Sequence, residues 1–411
     1  MQMTESYSET TAHFLELEEK YSAHNYHPLP VVLSKGEGVF VWDVDGKKYY
    51  DFLSGYSALN QGHRHPRIMA SLIDQAQKLT LTSRAFCNDQ FGPYAEYITN
   101  FFGYAKLLPM NTGVEAVETA IKLCRRWGYA LKGIPENKAR MIVCAGNFHG
   151  RTSTVISFSS DRTAYQGFGP YMPGFDVIPY NDLEALAVAL RQEDVAGFLV
   201  EPIQGEAGVV VPEDGYLKTA AGYCREANVL FIADEIQTGL ARTGKMLACD
   251  HEDVRPDILI LGKALSGGLL PVSAVLADDE IMLTIKPGEH GSTYGGNPLA
   301  CAIAITALQV LKDEGLAENA AIQGEYLRQG IRSLQSPFIA DVRGKGLLNA
   351  IEIRHSNPEA AWDVCQELKE NGLLAKPTHG DKIRFAPPLT ITRSQVDECL
   401  EMISDSLQIL K

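Results

Sequence analysis

No two of the eight cysteines, at positions 87, 124, 144, 224, 249, 301, 365 and 399, form a C-x-x-C pair, so the sequence carries neither a zinc-site signature nor a disulfide framework. Free, mostly packed thiols are what remains. No apolar stretch approaches the roughly 18 to 20 uninterrupted residues that a membrane-crossing helix needs, and a soluble protein with no membrane partner is expected. Positive charge is also in short supply: 37 basic against 51 acidic residues leave a formal net charge of -14, which repels nucleic acid and anionic membrane surfaces. Any anionic ligand must therefore meet a local basic site. Internal repeats and low-complexity tracts are lacking, which excludes solenoid architectures. The first twenty residues hold Glu5, Glu9, Glu16, Glu18 and Glu19, whereas organelle presequences are poor in acids and secretory ones need an apolar run. A presequence is not expected on this reading, and the cytoplasm is the expected compartment.

What is present is core material. Hydrophobic residues make up 45% of the 411, a length beyond which one core usually divides, so about two domains are expected. A helix-like opening gives way near His24 to a proline-bearing segment. Val39 to Phe52 then alternates around Asp45-Gly46, a dipeptide favoured in hairpin turns. From about residue 66, helical patterns alternate with short apolar runs at Met141–Ala145, Gly197–Val200, Leu230–Ala233, Ile258–Leu261 and Val272–Leu276. Such runs imply strands covered on both faces, in a largely parallel sheet. Asn297-Pro298 supplies a cap and a first-turn proline for an apolar helix to about Leu311. Beyond it, a strand at Leu347–Ile353, another around Arg384, and capping-box spacing at Thr392 and Gln395 read as a smaller α+β domain. The expected division is 1–60, an N-terminal segment with the hairpin; 61–312, a large domain; and 313–411, a small one.

In an open α/β sheet, ligands sit at the carboxyl ends of the strands, so polar residues just after the apolar runs are the candidates. Leu230–Ala233 ends in Asp234-Glu235, and Ile258–Leu261 is followed by Gly262-Lys263. A carboxylate and an amine thus leave the same sheet edge. That pair suits pyridoxal phosphate (PLP), whose aldehyde needs a lysine for a Schiff base and whose pyridine nitrogen needs a carboxylate to stay protonated. Alone, Lys263 reads as a solvated loop residue, and its surroundings must carry the functional reading. Thr112-Gly113-Val114 follows another short run and opens a helix through about Trp127, so its free N–H groups offer a phosphate cradle; many such turns bind nothing. The Gly239 to Met246 segment matches G-x-x-x-x-G-K but ends in methionine and lacks a strand directly before it, against a nucleotide-binding P-loop. His63-Arg64-His65-Pro66 and the His24/His27 pair have no carboxylate or cysteine ligands at metal-site spacing, so no metal is expected and helix-start and packing roles are preferred.

Six motifs in order carry a resemblance: Asn111-Thr112-Gly113-Val114-Glu115-Ala116, Phe148-His149-Gly150-Arg151-Thr152, Glu201-Pro202-Ile203-Gln204-Gly205-Glu206, Asp234-Glu235-Ile236-Gln237-Thr238-Gly239, Gly262 to Gly268, and His290 to Pro298. From about His24 to the C-terminus the chain resembles the class III, fold type I, PLP-dependent aminotransferases, and among them the ornithine aminotransferases. The resemblance implies a large domain with a mostly parallel seven-stranded sheet sandwiched by helices, plus the smaller α+β C-terminal domain. It implies Lys263 as the Schiff-base lysine and proton shuttle and Asp234 at the pyridine nitrogen. Gln237 would meet the ring hydroxyl, Phe148 would stack on the ring, and Thr112, Gly113 and Val114 would lie at the phosphate. Thr293 would join the phosphate from the neighbouring subunit of a homodimer or higher homo-oligomer with shared active sites.

For substrates the resemblance implies ornithine, 2-oxoglutarate and glutamate, with glutamate 5-semialdehyde cyclising to pyrroline-5-carboxylate, in proline and arginine metabolism. Arg151 is similar to the arginine that holds ornithine's carboxylate, Tyr26 to the tyrosine at its α-amino group, and Tyr56 to a second pocket tyrosine. Arg384, otherwise a solvated strand arginine, would clamp the α-carboxylate of glutamate or 2-oxoglutarate, and Glu206 would neutralise it when ornithine is bound. Another class III ω-aminotransferase, acting on acetylornithine or 4-aminobutyrate, is the competing reading, with Tyr26 as discriminator.

Overall fold

In the computed structural model, residues 7–411 are described; Glu5 and the first six positions of the expected 1–60 segment lie outside them. The largest sheet has seven strands in the spatial order Lys106–Met110, Ser273–Ala277, Ile258–Leu261, Leu230–Asp234, Val195–Val200, Arg140–Cys144, Phe175–Ile178. Only Ser273–Ala277 runs against the rest. The mostly parallel seven-stranded sheet is thus present. Edge strand Phe175–Ile178 escapes a sequence reading because just one of its four residues is buried.

Period-two alternation explains the sandwich. Leu230 and Ile232 pack with helix Gly113–Trp127 on one face, whereas Phe231 and Ala233 pack with helices Leu183–Ala189 and Tyr216–Glu226 on the other. Burial on both sides leaves no polar position inside the strand, and each large side chain so buried contributes about 1.5–3 kcal/mol. Polar side chains are consequently displaced to the strand ends, where the chemistry collects.

The C-terminal sheet is antiparallel, ordered Ile339–Lys345, Leu348–Ile353, Lys382–Phe385, Lys376–Thr378. Thr392 and Gln395 form the reciprocal capping box at helix Arg393–Ser406, and Asn297 caps helix Pro298–Asp313 through Ala300 N–H. The hairpin strands Phe40–Asp43 and Lys48–Asp51 turn at Asp45-Gly46, but their sheet is completed in parallel by Leu373–Leu374 from the far end of the chain. One apolar core runs from Val39 and Phe52 through Leu259 and Leu308 to Ile383 and Leu410, so these three regions pack as neighbours without a solvent gap.

Candidate active site

Five parallel strands deliver polar residues to one sheet edge: Asp234 ends its own strand, and Thr112-Gly113, Phe148-His149, Glu201 and Lys263 follow theirs. A cavity of about 260 Å³ lies there, lined by Gly113, Val114, Phe148, His149, Gly150, Glu201, Glu206, Asp234, Ile236, Gln237, Thr238 and Lys263.

At the helix start, Thr112 Oγ1 accepts from Glu115 N–H, while Glu115 Oε2 accepts from Thr112 N–H at 2.7 Å. This capping box satisfies one end of the turn and leaves the first-turn amides of Gly113 and Val114 without helical partners beside the cavity. Gly150 lies so close that a Cβ there would stand 2.6 Å from Val114 Cβ, and its φ of +123° favours glycine independently. The Phe148 loop is fastened by Asn147 Nδ2, which donates to Cys144 O, and by Phe148 N–H, which donates to Glu201 Oε1 at 2.8 Å.

Asp234 Oδ2 is 2.7 Å from His149 Nδ1, and both residues are buried. Burial by itself lowers the imidazole pKa, but the Asp234 carboxylate, with Glu201 behind it, more than reverses this and the net shift is upward. Burial pushes the Glu201 carboxyl up to about 7, against the lowering effect of His149. Lys263 follows Gly262 with a φ of +43°, a conformation rare for a non-glycine residue and often found at functional sites. Burial pulls its amine down to about 8, with Asp234 and Glu206 opposing the shift.

Farther from the sheet, Arg384 is buried, not solvated, and its Nη1 donates to Glu206 Oε2 at 2.8 Å. Its Nε is buried without a partner, and the Tyr56 ring centroid is 4.9 Å from the guanidinium carbon. Burial raises the Tyr56 phenol's pKa, Arg384 opposes that, and Glu206 and Tyr26 add to it, so Tyr26 is within electrostatic reach although 71% exposed. Arg151 is exposed, with its guanidinium 5.5 Å from the Phe148 ring centroid. Thr293 is exposed too and does not line this chain's cavity.

Orphaned polar atoms test whether these residues suit pyridoxal phosphate. Gln237 Oε1 is buried without a partner, ready to accept from a ring hydroxyl; its Nε2 donates to Tyr56 O at 3.4 Å. Two first-turn amides, a carboxylate, an amine of lowered pKa and an unpaired amide oxygen converge on one cavity, and that donor set fits the cofactor.

Three participants were not assigned roles from the sequence. Glu201 follows an apolar strand just as Asp234 does, so the same rule could have found it. His149 had only its place beside Phe148. Arg242, inside the P-loop look-alike, is fully buried and donates to Asn60 Oδ1, Leu347 O and Pro387 O, tying the strand that bears Arg384 to the large sheet. No local pattern announces such a contact.

Residues 21–407 match the family model described as aminotransferase class-III. The chain is 61% identical to the mitochondrial ornithine aminotransferase of Rattus norvegicus, covering 98% of this chain and 92% of that one. A crystal structure of the ornithine aminotransferase of Toxoplasma gondii superposes with a TM-score of 0.96 at 50% identity, covering 98% of this chain and 96% of that one. A structure named acetylornithine aminotransferase, from Elizabethkingia anophelis, has a TM-score of 0.89 and 57% identity over 97% of this chain and 99% of that one. The expected cytoplasmic compartment is overturned: relatives from rat, Drosophila ananassae and Oryza sativa are mitochondrial proteins. Composition of a folded domain answers to packing and solubility, whereas compartment is read by receptors from separate signals, so the acid-rich start was not evidence for the cytoplasm.

Proposed function

The chain belongs to the class-III aminotransferase family, and we propose that it moves the side-chain amino group of L-ornithine to 2-oxoglutarate, yielding glutamate 5-semialdehyde and glutamate. Its cofactor is pyridoxal phosphate. When bound, that cofactor supplies an aldehyde for amine exchange and a protonated pyridine ring that withdraws electrons from the carbon being deprotonated. Lys263 would hold the aldehyde and serve as the group that moves the proton, its amine brought down to about 8 by burial. Asp234, backed by His149, would keep the proton on the ring nitrogen. Gln237 would accept from the ring hydroxyl, Phe148 would cover the ring face, and the Gly113 and Val114 amides with Thr112 would bind the phosphate.

The observation that carries the substrate reading is the Arg384–Glu206 pair. A diamino acid brings its distal amine to Lys263 and keeps its carboxylate away, at Arg151, with Tyr26 at the α-amino group; Arg384 then needs no substrate anion and Glu206 neutralises it. 2-Oxoglutarate instead brings an α-carboxylate to that place, displaces Glu206, and uses the unpartnered Nε for a bidentate clamp. One pocket thus serves two substrates with oppositely placed carboxylates.

The proposal extends to assembly and metabolism. Thr293, exposed and outside its own cavity, reaches the phosphate site of a second copy in a homodimer or higher oligomer; the neighbouring Tyr294, 58% exposed, supports this. Residues 61–312 carry the cofactor site and 313–411 carry Arg384. Cyclisation of the semialdehyde to pyrroline-5-carboxylate places the reaction in proline and arginine metabolism. Purified protein offered ornithine, acetylornithine and 4-aminobutyrate, each with 2-oxoglutarate, should yield a trapped pyrroline from ornithine; turnover of acetylornithine in its place would reject the reading.

A further inference from the structure

The segment Ser54–Ser57 is a single left-handed turn: Ser54, Gly55, Tyr56 and Ser57 have φ of +50°, +55°, +58° and +72°. Three of the four are not glycine, in a conformation that L-residues avoid because Cβ crowds the following carbonyl. The hydroxyls of Ser54 and Ser57 are also buried without partners. Strain and unsatisfied groups in one short segment persist only where the surroundings over-determine them, commonly at functional sites.

Here the surroundings can be named. Asp51 Oδ1 accepts from Leu53 N–H at 2.9 Å and Ser54 N–H at 2.8 Å, fixing the residue where φ changes sign. Asp51 Oδ2 is 2.8 Å from His63 Nε2, and His63 is held in turn by two backbone hydrogen bonds with Gly38. Tyr56 N–H donates to Leu53 O and Ala58 N–H to Ser54 O. On the other side Leu59 packs onto Gly268, in the Lys263 loop, where any Cβ would overlap its side chain. The turn is therefore wedged between an Asp–His brace and the loop bearing Lys263, and it presents Tyr56 to the Arg384 guanidinium.

We infer that Asp51, braced by His63, is a positioning residue that holds the left-handed turn Ser54–Ser57 and through it aims Tyr56 at the carboxylate end of the substrate pocket. It acts through Tyr56 and touches neither substrate nor cofactor. The inference rests on the reading of Tyr56 as a pocket residue, and the experiment separates the two.

Holoenzyme carrying Asp51→Ala, Asp51→Asn, Tyr56→Ala, the pair Asp51→Ala with Tyr56→Ala, and the pair Asp51→Ala with Ser54→Gly would be compared for kcat and KM with each substrate, alongside the cofactor absorbance. Displacements of about 1 Å around a reacting centre reduce rates by as much as about a hundredfold, so a loss in kcat/KM of about tenfold or more, mainly in KM, is expected of Asp51→Ala with the cofactor band retained. Asn keeps the acceptor oxygen and should restore most of it. Ser54→Gly removes the penalty for positive φ and should restore part, with thermal unfolding of each variant separating this local relief from a general change in stability. Once Tyr56 is Ala, losing Asp51 should add little. Independent, multiplying losses from Asp51→Ala and Tyr56→Ala, or no recovery with Asn and Gly, would overturn the inference. If Tyr56→Ala alone changes nothing, the pocket reading of Tyr56 is what fails. Asp51 also faces the buried Arg242; should Asp51→Ala yield no folded holoenzyme, His63→Ala paired with Tyr56→Ala tests the same brace, with the same outcomes deciding.

Discussion

Replacing Glu206 by Gln keeps the side chain's shape and removes its charge. The carboxylate lies 2.8 Å from Arg384 Nη1, with 5% of the arginine side chain and 31% of the glutamate side chain exposed. At an effective dielectric near 20, a pair this close attracts by several kcal/mol. Solvent at Glu206 and the desolvation of Arg384 reduce the net value to that of a charged hydrogen bond, about 1.5–3 kcal/mol. At about 1.4 kcal/mol per factor of ten, this is roughly a 10- to 150-fold penalty that 2-oxoglutarate must overcome to displace the carboxylate. Gln still offers a neutral acceptor, so the lower end is expected: the apparent affinity for 2-oxoglutarate rises about tenfold. Ornithine should change in the opposite direction, because its positive groups would then share the pocket with an unneutralised guanidinium. Single-turnover half-reactions, followed by cofactor absorbance with each substrate separately, read the two effects. Equal shifts for both substrates, or none, would refute the switching role of the pair.

Lys263 gives a pH prediction. Its amine, lowered from 10.5 to about 8, is increasingly neutral above that value, and only the neutral amine attacks an aldehyde. Reloading of cofactor-free protein should therefore speed up as pH rises through about 8, and Lys263→Ala should leave no borohydride-reducible attachment; a flat profile in the unsubstituted protein removes the argument. Tyr26→Ile should weaken ornithine turnover by about tenfold while sparing glutamate, consistent with an interaction of about 1.5 kcal/mol, and kcat/KM for the two substrates measures it. At Gly205 a Cβ would overlap the Gln237 side chain, so Gly205→Ala should displace Gln237 and reduce cofactor affinity, read by equilibrium titration of the cofactor. Wild-type affinity in that variant would mean that Gln237 does not contribute to holding the ring.

Legibility in the sequence followed the range of each interaction. The buried parallel strands announced themselves as uninterrupted apolar runs, and the capping box at Thr392 as a spacing of three residues, because both patterns are set by local geometry; the matching box at Thr112 and Glu115 emerged in the structure. The edge strand Phe175–Ile178, largely unburied, had no such pattern. Motifs carried the resemblance that led to Lys263, Asp234 and Gln237. His63, visible only as part of a histidine cluster, and Asp51, not visible at all, became meaningful when the fold brought them 2.8 Å apart.

The sequence by itself determined the class of chemistry, because the ordered motifs around Thr112-Gly113, Asp234 and Lys263 carry the family resemblance; that these residues stand at strand ends follows from where polar groups can survive beside a doubly buried sheet. It did not determine compartment, because packing does not encode an address. Tertiary structure alone decided which groups meet: that Arg384 is buried and not solvated, that Asp234 has His149 behind it, and that Asp51 anchors a left-handed turn near the start of the chain against the strand Lys382–Phe385 near its end, through the Phe52–Ala386 and Arg384–Tyr56 contacts. Those pairings depend on the relative placement of whole sheets, fixed by one shared apolar core, and no window of local sequence contains that information.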